Sequence, residues 1–96
     1  DSALTVIVGK EQPARRKLVD VAKASLSLGI EQARAGNKLG QISHAIQEYI
    51  ESQGFGVVRE YVGHGVGRAM HEEPQVPNFG PADRGPVLKK GMVLAL

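Results

Sequence analysis

The sequence predicts a mixed α/β unit, and three observations carry that expectation. Residues 3–8 (ALTVIV), 57–62 (VVREYV) and the end of 88–96 are short apolar or β-branched runs of strand type. Between the first two lie two stretches with apolar residues at helical spacing. The resulting order is strand, long helix, helix, strand, loop, strand, with no internal repeat. Both ends of the chain fall inside apolar runs, ALTVIV just after Asp1-Ser2 and MVLAL at the end. Domain boundaries usually fall in polar linkers, so the expected unit is a piece of a longer chain.

The elements follow in order. ALTVIV, closed by Gly9, reads as a buried strand. Pro13 sits where the first turn of a helix tolerates it. From there to about Ala35, Leu18, Val21, Ala22 and Leu28 form one stripe, with Val19, Leu26, Ile30 and Ala33 beside it. So wide a stripe predicts a helix largely covered by neighbours. Gly36-Asn37 is a helix stop. A second helix is expected from about Gly40 to Gln53, burying Ile42, Ile46, Tyr49 and Ile50, with Gly54 ending it. His44 lies about 200° around from Ile42 at 100° per residue and should face solvent. VVREYV is the second expected strand. Residues 74–87 hold four of the five prolines and read mainly as loop, and 88–96 as a turn at Lys90-Gly91 followed by a third strand.

Composition excludes several functions. The 96 residues suffice for one small domain, with 42% hydrophobic and 23% charged residues, an ordinary soluble balance. Aromatic residues make up only 4%, so the core must be aliphatic. The net charge of +2 gives no argument for nucleic acid, and Arg15-Arg16-Lys17 and Lys89-Lys90 read as solvated surface. There is no cysteine, which removes disulfides, thiolate metal sites and a cysteine nucleophile, and fits a reducing cytoplasm. No apolar run approaches membrane-spanning length.

The chemistry-bearing stretch is GHGVGRAMHEEPQVPNFG, residues 63–80. It is not a dinucleotide fingerprint, because Arg68 stands where the third glycine belongs, and it lacks the lysine of a P-loop. It is not a helical His-Glu-x-x-His zinc motif, because order and spacing are wrong and Gly65 and Gly67 oppose a helix. Glycines beside His64 let other groups approach the backbone closely. Neutral imidazole suits divalent transition metals, and a second imidazole can hydrogen-bond a substrate. Seven residues apart on a flat strand, His64 and His71 would face opposite ways. A bend or bulge at the glycines would bring them together, and Glu72 or Glu73 could add a carboxylate. A glycine-rich turn with two surface histidines fits the same spacing, and spacing alone does not choose.

The run G-H-G-V-G-R-x-M-H-E-E-P-Q-V-P-N closely resembles the bacterial-type, type I methionine aminopeptidases. The resemblance extends to Asp1-Ser2, Val8-Gly9-Lys10, Val58-Arg59-Glu60-Tyr61 and Leu88-Lys89-x-Gly91-Met92, covering essentially the whole chain. The related prolidases, X-Pro aminopeptidases and creatinases share the G-H-G-x-G…H-E-x-P skeleton, but Arg59-Glu60-Tyr61 and Glu73-Pro74-Gln75-Val76 favour the methionine enzymes.

The resemblance implies a partial pita-bread fold, an antiparallel α+β sheet with two helices packed on one face. It implies two divalent ions (Co, Mn, Fe or Zn), with Asp1 and His64 as metal ligands. His71 would be the catalytic histidine that contacts substrate, and Met70 would lie beside the pocket for the substrate's methionine. The family's other three ligands match no residue here, so residues 1–96 are expected to be a central fragment of one catalytic domain. The implied activity of the parent is metal-dependent removal of the initiator methionine from nascent chains in the cytoplasm, with the ribosome as a candidate partner. No membrane or direct nucleic-acid contact is expected. The fragment alone is expected to be inactive, with exposed apolar faces that favour self-association. The alternatives are a non-catalytic pita-bread binding protein and an X-Pro aminopeptidase or prolidase relative.

Overall fold

A computed structural model describes residues 2–96. Two helices precede a small antiparallel sheet: α1 (Pro13–Gln32), α2 (Leu39–Ser52), β1 (Gly63–Gly65), β2 (Glu72–Val76) and β3 (Leu94–Ala95). The sheet order is β2-β1-β3, with both pairings antiparallel. No described helix is long and apolar enough to cross a membrane.

Pro13 occupies the first turn of α1, where its missing N–H costs no helical bond. The neighbouring Arg16 guanidinium bonds Glu11 and holds that carboxyl below its usual range. The helix meets α2 along Val21, Ser25 and Gly29, which are buried at a four-residue spacing. The wide apolar stripe expected to be covered is only half covered. Leu18, Leu26 and Ile30 remain 40–55% exposed. The reason is that α1 packs closely on α2 and on none of the described strands.

The second helix lies between α1 and the sheet, contacting β2. Its Leu39, Ile42 and Ile46 form the core with Val76 and Leu88, and Ile50 and Leu94 pack at the edge. Ile42 is fully buried. Of the expected face, Ile42 and Ile46 are buried and Ile50 packs at the core's edge, while Tyr49 is only half-buried and stands outside the core; His44 does point outward, beside Glu48 at 3.8 Å. The first N–H groups of α2 are satisfied by the proline-rich loop. Leu39 donates to the Pro86 carbonyl and Gly40 to that of Arg84, both at 2.9 Å. The side chain of Gln41 reaches back to accept from the Lys38 N–H at 2.8 Å. Leu88 is held by a reciprocal pair of bonds, giving its carbonyl to Gly36 and its N–H to Asn37.

Two of the three expected strands do not form, and the third, after the turn at Lys90-Gly91, does. Residues 3–8 form no strand. Leu4, Val6 and Val8 are 71–91% exposed, because no described strand pairs with this run. Strand propensity without a partner ladder does not make a strand. Residues 57–62 likewise carry no ladder, and pairing begins only at Gly63. Instead, Asn78 ties this segment down, its Nδ2 donating to the Val58 and Tyr61 carbonyls at 3.2 and 3.1 Å. Arg59 lies over the Phe79 ring, 4.3 Å from its centroid. Conversely, Pro74 sits inside β2, part of a run expected to be loop. It is tolerated because β2 is an edge strand, where a missing donor breaks no ladder. The turn before the third strand is where it was expected, closed by the Met92 N–H on the Lys89 carbonyl.

Candidate active site

His64 is the central residue of β1, and His71 immediately precedes β2. Regular antiparallel pairing would not bring these rings together. The register slips between His64, which faces Gln75, and Gly65, which faces Glu72. One step along β1 thus spans three along β2. The extra residues bulge and sharpen the local bend. The imidazole centroids come to 4.2 Å, with the planes tilted by 47°. The sequence left open a bulge or a turn with unrelated histidines, and the bulge is what forms.

The glycines explain how. Gly65 is buried, and a Cβ there would run into the Glu73 carbonyl oxygen, with its carbon at 2.9 Å and the Glu72 oxygen at 3.0 Å. The bulge therefore closes only over a residue without a side chain. Val66 carries the chain onward by donating to Val93 at 3.0 Å, so β1 stays anchored on both sides.

The half-buried His64 has a defined proton arrangement. Its Nδ1 lies 3.0 Å from the Gly65 carbonyl oxygen. A carbonyl can only accept, so this contact puts a proton on Nδ1, and in the neutral form of the ring the lone pair lies on Nε2. That is the arrangement of a metal-binding imidazole, whose second nitrogen usually donates to a carbonyl or carboxylate. The donor chemistry of His64 therefore fits a divalent metal. Among the described residues, however, no three His, Asp or Glu side chains converge to hold one. His64 also lines an open recess of about 350 Å³ with Ser2, Tyr61, Asn78, Ala95 and Leu96. Asp1 itself lies outside the described residues, but its neighbour Ser2 lines the same recess.

His71 and Met70 are exposed at the end of the 66–71 loop, Met70 at 65%. Glu72 does not join the imidazoles as a ligand. Its Oε1 accepts from the Ala69 N–H at 2.9 Å. Sequence reasoning missed this anchoring role and the strut formed by Asn78. The run Pro77-Asn78-Phe79-Gly80 signals a loop, but nothing in it reveals which carbonyls Asn78 meets.

All of residues 1–96 match the model of metallopeptidase family M24. The chain belongs to metallopeptidase family M24. Membership implies a divalent metal cofactor. The chain is 54% identical over 96 residues to a methionine aminopeptidase of Clostridium acetobutylicum, and 53% identical to methionine aminopeptidase 1 of Bacillus subtilis. Both alignments cover 100% of this chain, but only 38% and 39% of those relatives. The chain thus spans under two-fifths of their length. A crystal structure of the Thermotoga maritima methionine aminopeptidase superposes with a TM-score of 0.92 at 49% identity, over 95% of this chain and 36% of that one. The α+β arrangement of this M24 chain is accordingly the matching part of the pita-bread fold.

Proposed function

We propose that residues 1–96 are the central part of a catalytic domain that removes N-terminal methionine by metal-assisted hydrolysis. The supporting observation is the pair of imidazoles at 4.2 Å, one of them with its Nδ1 proton turned to a backbone carbonyl. The relatives' names, methionine aminopeptidase, point to the same activity.

In this reading Asp1 and His64 are two of the ligands of a two-ion centre. A divalent ion at such a site supplies Lewis acidity and a nucleophile at neutral pH. The His64 Nε2 would be its contact, and the Gly65 carbonyl fixes the tautomer. His71, beside His64 but on the exposed side of the hairpin, would donate a hydrogen bond to the carbonyl oxygen or leaving amide of the substrate. Met70, adjacent on the loop, would border the pocket for the substrate's methionine side chain. Imidazole and carboxylate donors suit Co, Mn, Fe and Zn. The substrate is the N-terminal methionine of nascent chains, which places the enzyme in the cytoplasm with the ribosome as a partner. The 96-residue chain by itself is inactive and self-associates through its exposed apolar run at residues 3–8.

The test is a peptide panel with the complete enzyme. Release of methionine from Met-Ala peptides, with X-Pro peptides left intact, is the expected result. Cleavage of X-Pro peptides alone would identify a proline-directed relative, and no cleavage of either would favour a binding protein.

A further inference from the structure

The loop that presents Met70 and His71 has its own anchor. After β1 the chain turns through residues 66–71, and Gly67 donates to the Ala69 carbonyl at 3.1 Å. Glu72, the first residue of β2, turns its carboxylate back under this turn. One oxygen accepts from the Ala69 N–H at 2.9 Å. The same carboxylate lies directly against Gly67. A Cβ at that position would collide with it, meeting Cδ at 3.0 Å and Oε1 at 3.1 Å. Glycine at 67 and an acceptor at 72 therefore form one device. The glycine makes the room, and the carboxylate uses it to hold the Ala69 amide two residues before His71.

We infer that Glu72 is a positioning residue that sets His71 against His64. It acts through the loop, touching neither imidazole's substrate nor a metal. A charged acceptor on a backbone N–H is stronger than a neutral one. Among the described residues the other backbone bonds of the loop are Val66 to Val93 and Gly67 to Ala69, both before Met70, so losing this one releases Met70 and His71 together. The kinetic consequence rests on the aminopeptidase reading; the geometric one does not.

The test uses the complete enzyme and four variants: Glu72→Ala, Glu72→Gln, Gly67→Ala and the Gly67→Ala/Glu72→Ala double. Two quantities are read by NMR without reference to activity: exchange of the Ala69 amide, and the cross-relaxation between the two imidazole rings. Methionine release and metal content are measured alongside. Glu72→Ala is expected to speed Ala69 exchange, weaken the ring–ring signal and lower kcat roughly tenfold, since small misplacements of a reacting group are costly. Metal content should not change. Glu72→Gln keeps an acceptor in place for the Ala69 N–H, so it should stay within about twofold of the original kcat, the small loss reflecting a neutral hydrogen bond in place of a charge-assisted one. Gly67→Ala should reproduce the Glu72→Ala loss, and in the double variant it should add nothing. Unchanged Ala69 exchange in Glu72→Ala would overturn the inference. So would faster exchange with an unaltered ring–ring signal, or with unaltered kcat in an active enzyme. Should the parent release no methionine while Glu72→Ala still separates the rings, the proposed activity fails and the anchor stands. Should Glu72→Ala not fold, Gly67→Ala decides the matter by the same readings.

Discussion

Gly65→Ala is the sharpest structural test of the bulged hairpin. The added methyl would be driven into the Glu73 carbonyl, with the Glu72 oxygen at 3.0 Å. These are backbone atoms of the paired strand, so no rotamer change relieves the contact. Forcing one extra methyl into a closed site costs about 1–3 kcal/mol. Against this, alanine restricts the unfolded chain and returns about 0.4–1 kcal/mol. The clash wins, for a net loss of about 1–2 kcal/mol. In a chain of this size that lowers the thermal midpoint by roughly 5–15 °C. Circular dichroism melting gives the midpoint, and the cross-relaxation between His64 and His71 gives the ring separation. The midpoint and the ring–ring cross-relaxation should fall together, because the register slip that the methyl blocks is the one that pairs the rings. An unchanged or raised midpoint, with the ring–ring signal intact, would refute the claim that close backbone approach at Gly65 makes the pair.

Two further outcomes follow from burial. Ile42→Ala removes three carbons from a fully buried side chain among Leu39, Ile46, Val76 and Leu88, and should cost about 3–4 kcal/mol in urea unfolding, transfer and cavity together. Replacing Leu4, Val6 and Val8 together by lysine touches side chains 71–91% exposed, so the midpoint of the 96-residue chain should move by less than about 3 °C. In size-exclusion chromatography the same triple variant should lose the larger species formed by the parent chain.

The helices were legible because their signals are local. Pro13 starts α1, and the positive-φ glycines Gly36 and Gly54 follow the helix ends. The period of Ile42, Ile46 and Ile50 marked the buried face of α2. What the period could not show was how much of α1 its neighbours would cover. Leu18 and Ile30 are as apolar as Val21, yet only Val21 reaches α2 closely enough to be buried.

Strands depend on distant partners, and of the three expected only the last, at Leu94–Ala95, forms. ALTVIV and VVREYV have the composition of strands but no described ladder, while Gly63-His64-Gly65, left open between a turn and a bulged strand, is the central strand. Its glycines serve close approach rather than chain reversal. Pro74 argued for loop, but edge position made it harmless. The candidate site was legible in its residue types. The pairing of His64 with His71 was left open, because a two-residue slip in register has no local signature. Glu72 was weighed as a ligand when its geometry is that of a loop anchor, a role set by an amide three residues away.

The proposed function divides the labour between the two histidines, His64 for metal and His71 for substrate. It is tested most directly by preparing His64→Ala and His71→Ala in the complete enzyme and measuring bound metal with methionine release. His64→Ala should lose metal and activity together. His71→Ala should keep its metal while kcat drops by about 10²-fold, the size of effect typical of one lost transition-state donor. Metal retained in His64→Ala, or lost in His71→Ala, would contradict that division of labour.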